Sequence, residues 1–154
     1  MEPYQDLIDR EQIESTESNP AIVKRKLTGA RNKLGVAQKL AKSDSETERQ
    51  EGYAIAYQAA LVALEAWMRH KGYKRTQNAG HVAVLNFARR SLGSEHHKTV
   101  RKLHRMKTDR HNIGYVDASV AVSRKKAKQG IDLARSIIDL VHNQITGQER
   151  MDLE

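Results

Sequence analysis

The fold is decided by the stretch GYAIAYQAALVALEAWMRHKG, residues 52–72. Its apolar residues recur at the three- and four-residue spacing of one helix face, and its many alanines allow another helix to approach closely. The run SDSE at 43–46 indicates a capping box before the helix. Gly72 after it is the residue type that commonly ends a helix. The stretch therefore predicts a long and closely packed helix.

The same periodicity continues on both sides of this stretch. Before it, Asn19 and Pro20 suit the N-cap and first position of a helix. No alternating pattern typical of a strand is found, and no proline after Pro20 interrupts a helix. The other predicted helices cover about 20–42, 78–92, 94–115 and a last span from near 117 or 119 to about 145. We therefore predict an all-α protein, an up-and-down four-helix bundle with an additional N-terminal helix.

The 154 residues are enough for one domain with a sizeable core. Residues 1–19 hold six acidic residues and one arginine, and they are predicted to form a flexible acidic arm. Residues 20–146 are the predicted helical bundle domain, and 147–154 the C-terminal tail.

Lysine and arginine number 27 against 19 acidic residues, a net charge of +8, which favours polyanionic partners. The chain has no cysteine, no signal-peptide pattern and no apolar run near the roughly 18 residues that span a bilayer. We expect a cytoplasmic protein without a membrane span. His104 and His111 lie seven residues apart and His96 and His97 are adjacent, so neither pair has the spacing of a helical zinc site. No metal and no cofactor are predicted.

Charged residues interrupt an apolar helix face in RKLHRMKTDRHNIGY, residues 101–115. On an ideal helix Arg110 falls near the middle of the stripe formed by Leu103, Met106 and Ile113. A buried, unpaired guanidinium is costly, so this arginine is held there for a reason. The adjacent stripe carries His104, His111 and Tyr115. Groups that can bind phosphate or move protons therefore converge beside an apolar seam.

Two interpretations of Arg110 remain open at this point. In the first, its planar set of donors binds phosphate together with Tyr115. In the second, it is a structural arginine paired with a carboxylate, for which Glu65 on the central helix is the natural partner. Glu65 could equally be a solvated residue paired with Arg69 at i+4.

Two stretches resemble the HEPN superfamily (higher eukaryotes and prokaryotes nucleotide-binding). One is YAIAYQAALVALEAW at 53–67, followed by Gly72-Tyr73 and by GHVAVL at 80–85. The other is LHRMKTDRHNIGY at 103–115. In the second stretch Arg110 matches the arginine of the family motif, His111 takes the place of a polar residue that is usually Asn, and Tyr115 stands where the catalytic His would be.

The resemblance implies a four-helix bundle with one extra helix, commonly a dimer that brings two motifs together across a cleft. Active members are metal-independent endoribonucleases, often toxins or defence effectors. In them the arginine binds the scissile phosphate and the histidine promotes attack by the ribose 2′-hydroxyl. Other members lack the histidine and bind RNA or nucleotides, or act as partners of nucleotidyltransferase-type proteins.

From the residues and the resemblance together we predict a cleft at Arg110 and Tyr115 that binds RNA or nucleotide phosphate, in a homodimer of a toxin–antitoxin or defence system. Tyrosine, with an ordinary pKa near 10, is a poor general base at neutral pH. One alternative is a metal-independent endoribonuclease that uses His111 with Arg105 or Arg110. Another is a structural or interaction subunit of a two-component complex. The predicted catalytic residues are Arg110, His111 and Tyr115, and the predicted substrate contacts are Arg101, Arg105, Lys107 and Glu65.

Overall fold

The computed structural model describes residues 2–113 and 121–153. Its elements are α1 Gln5–Asp9, β1 Ile13–Ser15, α2 Pro20–Ala41, α3 Glu46–Lys71, β2 Tyr73–Arg75, α4 His81–Ser91, a short 3-10 helix Ser94–His96, α5 His97–His111 and α6 Arg124–Leu153. The prediction of an all-α helical bundle is confirmed. No helix among these residues is long and apolar enough to cross a membrane.

The central helix is α3, which packs against α2, α4, α5 and α6. Its small side chains are buried, with Ala56, Ala59, Ala60, Ala63 and Ala66 fully inaccessible. Small residues bring neighbouring backbones close, and the larger core side chains of the bundle fill the remaining space. The stretch 52–72 therefore lies at the centre of the core.

Capping residues set the ends of the long helices. The side chain of Asn19 accepts hydrogen bonds from the amides of Ala21 and Ile22 at 3.0 and 3.3 Å. The N-cap of α3 is Ser45, whose hydroxyl accepts from the amide of Glu48 at 3.3 Å. After α3, Gly72 has φ 90°, a left-handed conformation that favours glycine.

The structure contains one short pair of strands, although the sequence shows no strand pattern. β1 pairs with β2 in an antiparallel ribbon, with Ile13 opposite Arg75 and Ser15 opposite Tyr73. Strands of three residues are too short to show an alternating pattern. The ribbon buries Ile13, which is only 1 % exposed.

The acidic segment 2–19 contains α1 and β1 and packs against the bundle. Leu7 is 3 % exposed, and the ring of Tyr4 lies 5.2 Å from that of Tyr73 and 4.8 Å from that of Phe87, centre to centre. Asp6 also forms an ion pair with Arg90 at 2.6 Å. Aromatic contacts and an ion pair therefore tie this segment to α4 and β2.

The last helix differs from its predicted bounds, because α6 begins at Arg124 and continues to Leu153, through the segment assigned to a tail. Residues 114–120, where the sequence predicted the end of one helix and the start of the next, lie outside the described residues. Arg49 fixes the chain just before α6. Its Nε donates to the carbonyl of Val122 at 2.9 Å, while its terminal nitrogen donates to the carbonyls of Ser43 and Asp44.

Candidate functional site

A groove of about 550 Å³ separates the first turns of α3 from the last turns of α5. Burial of Leu103 and Met106 orients α5, which brings Arg110 and the neighbouring Lys107 to the groove. The lining residues are Thr47, Gln50, Glu51, Tyr53 and Ala54 on the α3 side and Lys107, Arg110, His111 and Ile113 on the other. The wall from α5 therefore carries cationic and hydrogen-bonding groups, and Glu51 is the one carboxylate among these lining residues.

Arg110 is half-buried, and its guanidinium carbon lies 5.5 Å from the ring centre of Tyr57. This is a cation–π distance, so the buried ring stabilises the guanidinium without neutralising its charge. Among the described residues, no carboxylate lies within 4.0 Å of Arg110. Its donors are therefore not occupied by an acid of the described chain.

The suggested ion pair between Glu65 and Arg110 is wrong. Glu65 Oε2 lies 3.9 Å from Nε of Arg75 and 4.0 Å from Nζ of Lys26. The alternative pair with Arg69 is not formed among the described residues either. Glu65 is about 16 Å along α3 from Ala54 at the groove, since each residue of a helix advances 1.5 Å. It lines a different pocket.

A polar pair, the buried Tyr57 and the partly buried His81, lies behind Arg110. The hydroxyl of Tyr57 is 3.1 Å from Nδ1 of His81. Burial raises the pKa of Tyr57 to about 12, although the positive charges of Arg110 and Arg75 oppose this. Burial also lowers the pKa of His81, and the charges of Arg75 and Arg110 lower it further. Both side chains are therefore neutral near pH 7, which leaves the charge of Arg110 uncompensated.

Asp109, the acid next to Arg110 in sequence, has other partners. Its Oδ2 accepts from the hydroxyl of Tyr53 at 3.3 Å and lies 3.4 Å from Nζ of Lys126. Burial raises the pKa of Tyr53, and the negative charge of Asp109 raises it further. This network joins α3, α5 and α6 at the base of the site. The charge of Asp109 is balanced there by Lys126 and does not neutralise Arg110.

The structure brings together three of the residues predicted from sequence, Lys107, Arg110 and His111. Arg101 and Arg105 are exposed, at roughly 180° and 140° around α5 from Arg110, and do not line the groove. Tyr115 lies outside the described residues. No group of His, Cys, Asp or Glu in the described part of the chain is arranged to hold a metal ion.

Sequence reasoning missed the roles of Tyr57 and His81. Both are packed side chains, but their mutual contact depends on how α4 meets α3, which periodicity does not report. The sequence itself indicates only that Tyr57 lies on the most buried helix and that His81 lies at the start of another.

The comparisons with known proteins gave one match. A family model described as HEPN domain matches residues 23–144, most of the chain. No curated protein and no solved structure matches it. The matched span contains α3, α4 and α5 complete, together with every described residue of the groove.

Proposed function

We propose that this chain, which belongs to the HEPN domain family, binds the phosphate groups of RNA or of a nucleotide in the groove lined by Lys107, Arg110 and His111. At the level of the family the chain is a nucleotide- or RNA-related helical domain. The observation that carries the proposal is the half-buried guanidinium of Arg110, which lies on Tyr57 with no carboxylate of the described chain beside it.

The chemistry of the groove supports a phosphate ligand. A guanidinium presents a planar set of donors that matches two phosphate oxygens, while a lysine adds a point charge. Thr47 and Gln50 on the opposite wall offer neutral hydrogen-bonding groups. A groove of about 550 Å³ is within the usual range for a small-molecule site, so it has room for a nucleotide.

The test compares the affinity for a labelled single-stranded RNA of the unchanged protein, Arg110→Ala and Arg105→Ala, at one ionic strength. Loss of a charge-assisted contact should weaken binding about tenfold or more in Arg110→Ala. Arg105→Ala removes the same charge from the exposed face of α5 and should change affinity less than about threefold. Equal losses in the two variants would mean that RNA binding depends on the overall positive charge and not on a specific contact with Arg110.

A second variant separates charge from shape. Arg110→Lys keeps the positive charge but loses the planar fork, so its affinity should fall between those of the unchanged protein and Arg110→Ala. Circular dichroism melting of each variant establishes that the fold is retained.

A second candidate function is metal-independent RNA cleavage, favoured by the fact that His111 and Arg110 line the same groove. Histidine is the commonest proton-transfer side chain near neutral pH. This activity would persist in EDTA, leave 2′,3′-cyclic phosphate ends and disappear in His111→Ala. Cleavage that survives in that variant would come from a contaminant. Arg105 is the less suitable phosphate ligand here, because it lies on the far side of α5.

We also propose that the protein acts as a homodimer, with a nucleotidyltransferase-type protein as partner in a toxin–antitoxin or defence setting. The likeness to the family supports this. Light scattering would give the mass of the assembly. If Arg110 instead fixes an interface, Arg110→Ala should lower the melting temperature or the assembly mass without a separate effect on RNA.

A further inference from the structure

A second basic pocket lies at the other end of α3, against α2 and β2. Its volume is about 170 Å³. The lining residues are Lys26, Glu65, Met68, Arg69, Lys74 and Arg75. Four cationic side chains from three elements therefore surround one carboxylate. We refer to it as the β2 pocket.

The carboxylate of Glu65 balances these charges only in part. Its two ion pairs, at 4.0 Å to Lys26 and 3.9 Å to Arg75, exceed hydrogen-bond length and are correspondingly weak. Lys74 is paired outside the pocket with Glu14 at 3.3 Å. No carboxylate in the described ranges lies within 4.0 Å of Arg69. The pocket retains an excess of positive charge.

The pKa of His81, which lies near the pocket, reflects the same excess of positive charge. Arg75 lowers the pKa of nearby His81, and the opposing effect of Glu65 is smaller. The side chain of Glu65 is itself 21 % exposed and that of Lys26 29 % exposed, so both remain accessible to a small ion.

The size of the β2 pocket limits what it can hold. It is smaller than the roughly 300–1,000 Å³ of sites that enclose a drug-sized ligand. A single phosphate group fits this space, while a sugar and base would extend outside it. A terminal phosphate also carries more charge than a phosphate within a chain, which suits several surrounding cations.

We propose that the β2 pocket binds a phosphate monoester or free phosphate, independently of the groove at Arg110. Arg69, Arg75 and Lys26 supply the donors. The negative charge of Glu65 repels the anion and so lowers the affinity of the pocket for phosphate. The distance along α3 makes this a separate site, so the proposal does not require RNA to occupy the groove.

The test is titration of the ¹⁵N-labelled protein with inorganic phosphate in a phosphate-free, low-salt buffer. Saturable shifts of backbone amides around 65–69 and 74–75 are expected. Arg69→Gln and Lys26→Gln should each weaken binding about tenfold or more, as expected for loss of a charge-assisted contact. The control, Lys33→Gln, removes an exposed lysine from the same helix as Lys26 and should have less than a twofold effect.

Two further variants distinguish this proposal from its alternatives. Glu65→Gln should tighten phosphate binding, which a merely structural pair would not predict. Arg110→Ala should leave the phosphate affinity measured from the amides around the β2 pocket within twofold, even if it abolishes RNA binding in the groove. The proposal for the β2 pocket and the proposal for the groove are therefore tested separately.

The source of the phosphate is distinguished by comparing a short RNA with a 5′-phosphate and the same RNA with a 5′-hydroxyl. Tighter binding of the 5′-phosphorylated RNA than of the 5′-hydroxyl RNA, with shifts around the β2 pocket, assigns the pocket to a nucleic-acid end, whereas equal binding of the two RNAs assigns it to free phosphate. The absence of saturable shifts around the pocket, or an equal loss in Lys33→Gln, would overturn the proposal.

Discussion

Neighbouring residues on α5 direct their charges to different partners. Asp109 interacts with Tyr53 and Lys126, while Arg110 lies over the ring of Tyr57. Successive residues on a helix point about 100° apart, so a carboxylate next in sequence does not have to neutralise its neighbour. The groove keeps the positive charge of Arg110 because the carboxylate of Asp109 points in a different direction.

The environment of His81 makes the stability of the fold depend on pH. The pKa of His81 in the folded protein is lowered by burial and by Arg75 and Arg110 from an ordinary value of 6.5. The unfolded chain therefore takes up a proton more readily than the folded one. The stability associated with neutral His81 is complete above about pH 6.5 and is lost as the pH falls through the lowered folded pKa.

Urea unfolding at pH 7.5 and pH 5.5 checks this expectation. The unchanged protein should lose more free energy of unfolding between the two pH values than His81→Gln does. A control, His104→Gln, replaces an exposed histidine and should behave like the unchanged protein. Equal losses in all three proteins would assign the pH dependence to other groups.

Part of the site could be predicted at this scale. The helical phase of 101–115 puts Arg110 on the same stripe as apolar residues, and Arg110 is indeed half-buried. Its partner could not be predicted in the same way. Glu65 and Tyr57 are both on α3, but they differ by two turns, and the relative position of two helices is set by packing that periodicity does not encode.

At the scale of elements, the close approach of α2 and α3 depends on Gly52. A Cβ at this position would lie 3.0 Å from the carbonyl oxygen of Ala37, the amide nitrogen of Ala41 and Cβ of Leu40. Two of these atoms are backbone and cannot move without shifting α2. Gly52→Ala should therefore reduce the free energy of unfolding by about 1–3 kcal/mol.

Gly29→Ala is the matched control on α2. A Cβ there meets nothing within 4 Å, so the higher helix propensity of alanine should stabilise by up to about 1 kcal/mol. Chemical denaturation of the two variants measures the difference. A stable Gly52→Ala protein would mean that the two helices can separate without cost.

The long helices could be predicted because their caps are local signals. Asn19 with Pro20, and Gly72 after α3, act within a few residues of the ends that they define. The ribbon of β1 and β2 depends on a contact between positions about sixty residues apart, such as Ile13 and Arg75. Three-residue strands leave no local pattern, so this pairing was missed.

At the scale of the whole molecule, the acidic segment and the groove occupy different places. Asp6 pairs with Arg90 and Glu14 pairs with Lys74, on the side of α4 and β2. No residue of 2–19 lines the groove. The segment therefore offsets basic charge elsewhere and leaves the cations of the groove accessible.

This distribution predicts how salt affects RNA binding. For single-stranded nucleic acid, the logarithm of affinity falls with the logarithm of salt concentration by about 0.7 for each phosphate neutralised. Removal of one phosphate contact in Arg110→Ala should make the slope shallower by about 0.7. Arg105→Ala should retain the slope of the unchanged protein, and an equally reduced slope would assign phosphate contacts to the exposed face of α5.

The most direct test of the central claim is to map where RNA binds, by titrating a short single-stranded RNA into the ¹⁵N-labelled protein. The account predicts that backbone amides of 47–54 and 107–113 shift together and saturate at one concentration, since both walls border the same groove. It also predicts that these shifts are lost in Arg110→Ala. Shifts confined to the exposed face of α5 around Arg101 and Arg105, with the groove amides unchanged, would contradict it.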